Sequence, residues 1–358
     1  MNYFLLMPIW CAIVALMAQS WMTKKKEYVL GQEECRHITF FAIIAFLPIF
    51  LLAVFGEPIS DVSLYMKIFH ATPSTLSAVK IGENGWLWEF FTISVKLLFG
   101  NNVTIYRVLI GLIHSIPLIL IFRKYSGSFA TTLFLFVASG DYVAWMMNGL
   151  RQFAAVAIIF CSIPLLLRRK YVQVSIVVLM ASMIHQSAII MFPVILIVQG
   201  KPFGKKTLLF IALCVGVVFI LGQTEVFEAL IKTTEYAGGY NEIKRWDDGI
   251  SVLRVLVIMV PVFLAFLGRK KIIKRENNFE YICINMSIVT LGISLIAMVT
   301  SGIYVGRLMI YTQLFNYLIL PTLIEDVFDK DSRPLVYVFL VVFYLIYYYF
   351  EMGSLLWI

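Results

Sequence analysis

Residues 150–170 read Leu-Arg-Gln-Phe-Ala-Ala-Val-Ala-Ile-Ile-Phe-Cys-Ser-Ile-Pro-Leu-Leu-Leu-Arg-Arg-Lys. No charge falls between Arg151 and Arg168, nearly the length of about 20 apolar residues that a helix needs to cross a bilayer core. The run stops on the cations Arg168, Arg169 and Lys170, the kind of cluster that stays on the cytoplasmic side. The same pattern recurs along the chain at 3–22, 37–55, 103–122, 128–146, 171–200, 207–222, 251–268, 281–299, 303–324 and 334–350. Of 358 residues, 61% are apolar and 14% are charged, against roughly 25% charged in soluble domains. With a mean hydropathy of +0.89, a water-soluble fold is excluded. The expected fold class is all-α: a polytopic transmembrane helical protein with eleven or twelve crossings, forming one domain over residues 1–358. The run from Tyr3 to Trp21 lacks a basic start and a small-residue cleavage site, so it reads as a retained first span.

Sidedness follows from charge. The clusters at Lys24–Lys26 with Arg36, Arg123–Lys124, Arg168–Lys170, Lys201 with Lys205–Lys206, Arg269–Arg275, and Lys330 with Arg333 are assigned to the cytoplasm. They hold 19 of the 29 Lys and Arg residues, so the net charge of +8 comes from one side. An anionic leaflet accounts for that excess, and no nucleic acid is called for. Segment 56–102 carries Pro58, Pro73, acids and the amphipathic stretch Trp86 to Phe99, segment 223–250 carries many acids with Lys244, Arg245 and Trp246, and both read as outward-facing. Run 171–200 has basic clusters at both ends and is too long for one span, so a bend is expected at His185-Gln186-Ser187. Cys11, Cys35, Cys161, Cys214 and Cys283 show no CxxC spacing; neither a disulfide framework nor a metal site is expected, and no cofactor motif is found.

An arginine within a span costs about 2.5 to 3.5 kcal/mol on insertion scales. Arg107, Arg151, Arg254 and Arg307 all fall in the first turns on the outer side of their spans. Separately they would snorkel to lipid phosphate; together their forked donors suit a phosphate or pyrophosphate. Asn148-Gly149-Leu150-Arg151-Gln152 is a turn running into a helix, which puts Arg151 and Gln152 at the positive end of the helix dipole. Asp141 is read as structural, pairing with an arginine. Of the four histidines, His37 and His70 read as solvated and His114 as a packed neutral imidazole. His185, at the broken tip, is the candidate general base for a hydroxyl. Asp61 and Glu83 are competing bases, and Trp86, Trp88 and Trp246 are the tryptophans placed to stack on sugar rings.

The order of these features resembles the EpsG/Wzy-type family of bacterial polysaccharide polymerases. The residues that carry the likeness are Asp61 and Tyr65, then Glu83-Asn84-Gly85-Trp86, then Asn148 to Ala154, then His185-Gln186-Ser187-Ala188 running into Pro193, and finally Arg307 with Tyr311 and Pro321. Where the family pattern has Glu-Pro-Gly, this chain has Glu83-Asn84-Gly85. The resemblance implies a GT-C-like glycosyltransferase at the outer face of the bacterial cytoplasmic membrane. It would join undecaprenyl-pyrophosphate-linked donor and acceptor glycans without a metal, alongside a chain-length regulator and a flippase. It implies catalytic roles for His185, Arg151 and Arg307. Substrate contacts would come from Gln152, Arg254, Arg107, Asp61, Tyr65, Glu83, Tyr311 and Arg245. An O-antigen ligase and a transporter of the lipid-linked unit stand as alternatives.

Overall fold

The computed structural model describes residues 3–59, 61–221, 229 and 249–353. The fold is all-α apart from one small hairpin, and it separates into two compact units. The first comprises Met1–Ile189 with Lys330–Ile358, and the second Ile190–Asp329.

In the first unit, α1 (Tyr3–Met17) is followed by the hairpin β1 (Lys24–Val29) and β2 (Gln32–His37), then α2 (Thr39–Phe55), α3 (Asp61–Ala71) and α4 (Trp86–Phe99). Next come α5 (Val103–Tyr125), α6 (Phe129–Ala138), α7 (Asp141–Met146), α8 (Leu150–Cys161), α9 (Ile163–Leu167) and α10 (Tyr171–Ile184). The last helix of the chain, α17 (Arg333–Glu351), returns to this unit and packs on α6. The centre is α5, against α2 on one side and α8 on the other, with α10 behind α8. Gly111 allows the close α5–α2 approach, because a Cβ there would sit 2.7 Å from a Val54 methyl. The single mid-span histidine is packed as expected: His114 is 1% exposed, shares a 2.9 Å hydrogen bond with the Leu150 carbonyl and meets Phe153 edge-on.

The second unit holds α11 (Met191–Ile197), α12 (Lys205–Leu221), α13 (Val252–Leu267), α14 (Arg269–Arg275), α15 (Asn278–Val299) and α16 (Ile310–Val327). Buried α15 is the hub, touching α11, α12, α13 and α16. Polar side chains of this helix find hydrogen-bond partners inside the bundle. Asn285 donates to the Val198 and Gly200 carbonyls at 2.9 and 3.0 Å, and Thr290 shares a 2.7 Å hydrogen bond with Thr312.

Among the described residues, four helical stretches are long and apolar enough to cross a membrane: Val103–Tyr125, Leu150–Leu167, Asn278–Val299 and Arg333–Glu351. Val252–Leu267 with Arg269–Arg275 is a pair bent by 70°, and five further apolar helices are shorter. Apolar side chains cover much of the outside, including Leu5, Ile9, Leu16, Phe339 and Phe350, so the protein is a multi-pass membrane protein.

Several expectations are corrected by this geometry. The cations at 24–37, placed from sequence only by their charge, lie on a two-stranded hairpin, closed by Leu30 and Gly31 at φ 53° and 89°, the backbone of a tight two-residue turn. His37 is half-buried: it packs 4.8 Å from the Phe41 ring and 5.8 Å from Phe129. Run 128–146 breaks at Gly140, φ 72°, so Asp141 lies not inside one long span but in the first turn of α7, fully buried. Run 150–167 keeps the expected length as one stretch, with a local turn at Ser162, whose hydroxyl donates back to the Ile159 carbonyl at 2.6 Å, just before Pro164.

Candidate functional site

The first unit contains a cavity of about 460 Å³ walled by α3, the 80–85 loop, the start of α4 and Arg151. Asp61 and Tyr65 line it from successive turns of one face of α3. Lys96 holds α3 in place: its ammonium donates to the Phe69, His70 and Thr72 carbonyls at 3.0, 2.7 and 2.5 Å, supplying a cation at the helix's negative end. Beneath lies an aromatic floor, with Trp88 6.0 Å from Tyr65 and Phe69 stacked 4.5 Å from Tyr106. Trp88 is 7% exposed, so it supports the cavity from below and offers no open ring face, whereas Trp86 is half-buried at the wall.

Glu83-Asn84-Gly85 forms the turn into α4. Gly85 adopts φ 81°, and its carbonyl accepts from Trp88 and Glu89 at 2.9 and 3.1 Å. Two constraints meet at this residue. The backbone is left-handed, and a Cβ would fall 2.6 Å from Arg151 Nη1 and 3.3 Å from the Ile184 carbonyl. Lys80 pairs with Glu83 at 3.6 Å, and its backbone N–H donates to Glu89 at 3.0 Å. The lining thus holds three carboxylates, Asp61, Glu83 and Glu89, and two cations, Lys80 and Arg151.

Arg151 is in the first turn of α8, next to backbone amides that have no intrahelical acceptor. Its buried Nε has no partner among the described residues. Gln152, one residue on, points elsewhere: its amide donates to Ser187 Oγ at 3.2 Å, and that hydroxyl shares a 2.7 Å hydrogen bond with His185 Nδ1. His185 is where α10 ends and the chain turns extended, φ −146° and ψ 116°, so the break expected at 185–187 is present. Asn84 donates to Gln186 Oε1 at 3.1 Å, joining the loop before α4 to this break.

Asp61, Tyr65, Glu83 and Arg151 therefore surround one cavity, while Gln152 and His185 form a linked pair behind its 84–85 wall. Arg107 is elsewhere: its Nη2 donates to the Ala53 and Gly56 carbonyls at 3.1 and 2.8 Å, capping the end of α2. In the second unit, Arg254 is in the first turn of α13, behind the Ser251 cap. Arg307 lies in the short 3₁₀ turn that leads into α16, and Tyr311 is buried one residue into that helix. These two helix starts share one end of that unit with the close of α15, where Ile250 donates to the Ala297 carbonyl. Arg245 and Trp246 lie outside the described residues. Among the described residues, no three His, Cys, Asp or Glu side chains are gathered as metal ligands. Sequence reasoning missed Ser187 as the link between Gln152 and His185, and Gly85 as the gap that admits Arg151; the signals were the Gln-Ser pair after His185 and the glycine before Trp86.

No curated protein and no solved structure matches this chain. A family model matches residues 38–354, a stretch that includes every residue of the cavity and of the Gln152–Ser187–His185 chain, and the protein belongs to the EpsG family.

Proposed function

We propose that this protein is a polysaccharide polymerase, a membrane glycosyltransferase that joins undecaprenyl-pyrophosphate-linked oligosaccharides at the outer face of the bacterial cytoplasmic membrane. The single observation that carries the reading is the cavity uniting Asp61, Tyr65, Glu83 and Arg151 with the start of α8, in a chain of this family. Carboxylates, a tyrosine and a half-buried tryptophan are the groups that bind sugar hydroxyls and ring faces, so the acceptor glycan sits among Asp61, Tyr65, Glu83 and Trp86. Arg151 and the free amides of α8 bind the donor's diphosphate, whose charge grows as its bond to the anomeric carbon breaks. The acceptor hydroxyl oxygen attacks that carbon, the bonding pair leaves with the diphosphate oxygen, and the hydroxyl proton passes to His185. The mechanism uses the tautomer in which His185 Nδ1 carries the proton toward Ser187 Oγ and the lone pair is on Nε2, and Gln152 holds the serine in turn. Basic clusters keep the hairpin end in the cytoplasm, which turns the cavity outward. Arg254 and Arg307 are proposed as anion contacts of the second unit. The mechanism uses no resident metal.

The test is deletion of the gene followed by separation of surface glycan by length. Single repeat units without long chains support a polymerase, whereas loss of all attached glycan points to a ligase or a transporter. Complementation with Arg151→Ala or His185→Ala leaves only short glycan, with membrane protein level unchanged, and Lys25→Ala restores full length. Long chains from either of the first two would remove the site assignment.

A further inference from the structure

We infer that the opposite end of the first unit carries a second binding site, which takes the phosphate-bearing headgroup of an anionic phospholipid. A cavity of about 460 Å³ opens there between α1, the hairpin and the start of α6. Lys24, Arg36, His37 and Arg123 line it, and no carboxylate does. Residues 128–131, the first turn of α6 with its Ser128 cap, form another wall, so a helix's positive end faces the same space as the cations.

The nearest acids are paired with the two arginines, so the uncompensated charge of the cavity is that of Lys24. Glu27 is held by Arg123 at 2.8 Å and Glu34 by Arg36, whereas Lys24 forms no ion pair among the described residues and rests 5.8 Å from the Trp21 ring. Arg36 Nε and Arg123 Nε are buried donors with no partner among the described residues. Burial, with Lys24 and Arg36 close by, holds the His37 imidazole below its ordinary value.

The rim favours an amphiphile over a free anion. Trp21 and Met22 are 81% and 90% exposed beside the opening, and the outward face of α1 is apolar, with Leu16 69% exposed. Acyl chains can lie along α1 while the phosphate enters the basic cavity, the arrangement by which basic pockets at a membrane face take lipid headgroups. Lys24, Cys35, Arg36 and His37 all precede residue 38, where the family match begins, so this site is distinct from the glycan-joining one.

The experiment places the purified full chain in nanodiscs containing equal phosphatidylcholine and phosphatidylglycerol, extracts it gently, and weighs the lipids retained by native mass spectrometry. Phosphatidylglycerol should be retained over phosphatidylcholine, and Lys24→Glu should reduce that preference at least roughly fivefold, the loss of one cation's contribution alone. Lys25→Glu, on the same strand but outside the cavity, should leave it unchanged. Lys24→Gln, a milder change, reports the same loss if charge reversal disturbs the hairpin, which melting in phosphatidylcholine alone would reveal. Equal retention of both lipids, or equal losses in Lys24→Glu and Lys25→Glu, overturns the site. Displacement of the lipid by millimolar inorganic phosphate overturns the headgroup assignment in favour of a soluble anion.

Discussion

Two cavities of equal volume, about 460 Å³ each, occupy the first unit, one beside the start of α5 and the other beside its end. The helix between them has 23 residues, or about 35 Å at 1.5 Å per residue, the thickness of a bilayer core and a little more. Their linings are opposites. Three acids, two cations and a tryptophan with an accessible edge make the first suited to neutral, hydroxyl-rich groups with a single anionic contact at Arg151. Cations without acids make the second suited to an anion alone. The contrast shows that abundant arginine does not by itself mark a phosphate site: Arg107 caps a helix, Arg123 braces a hairpin, and only Arg151 brings an unpartnered buried Nε to an acid-rich cavity.

The comparison can be broken first at Gly85. Gly85→Ala puts a methyl against Arg151 Nη1 on a left-handed backbone, and displacing a reacting group by about 1 Å can cost 10²-fold. Polymer formation should fall roughly 10²-fold. Gly82→Ala is the matched control: its φ is 95°, yet nothing lies within 4 Å of its Cβ, so it meets only backbone strain of about 1 kcal/mol. A radiolabelled chain-extension assay on membranes reads both; equal losses would show that turn strain, and not the arginine, matters.

Ser187→Ala tests the linked pair behind the wall and should have a smaller effect. General-base catalysis contributes roughly 10² to 10⁴, and removing the hydroxyl that orients Nδ1 leaves part of it, so a loss of roughly tenfold is expected. Ser187→Thr keeps the hydroxyl and should recover most activity. The rate's dependence on pH should also shift in Ser187→Ala, because the hydrogen bond favouring one His185 tautomer is gone; an unchanged profile would reduce Ser187 to a packing role.

How much of this was legible beforehand follows from the range of each signal. Hydropathy is local, so the spans, the break at His185 and the amphipathic α4 could be read directly, and the one-sided acids and cations separated the two ends. Four residues picked from motifs far apart in sequence, Asp61, Tyr65, Glu83 and Arg151, share one cavity. What could not be read depends on non-local hydrogen bonds or on φ. Depth along a span does not distinguish Arg107 as a cap from Arg107 as a ligand, since both need the same turn. The hairpin was hidden because four consecutive charged residues, Lys24 to Glu27, look like solvated loop until Arg123, 96 residues from Glu27, gives that acid a partner. Asn84 where the family pattern has proline gains a donor side chain, and the chain uses it to hold Gln186.

The smallest expected effect concerns that hairpin. Glu27 is bonded by Arg123 at 2.8 and 3.2 Å, and this hydrogen bonding, with the nearby cations, holds its carboxyl below the usual glutamate range. A carboxyl depressed in the folded state stabilises the fold above its unfolded pKa. That stabilisation is lost as pH falls through the usual glutamate range to the lower folded value. Glu27 is only partly covered, so the pair is worth about 1 kcal/mol, well short of a buried ion pair. Glu27→Gln should lower the melting temperature of the purified protein by a few degrees at pH 7, and the difference should shrink as pH falls below the usual glutamate range and the parent carboxyl takes up its proton. A difference that persists at low pH would mean that the side chain acts through packing, and that the basic end is held together by the apolar contacts of His37, Phe41 and Phe129 without help from charge.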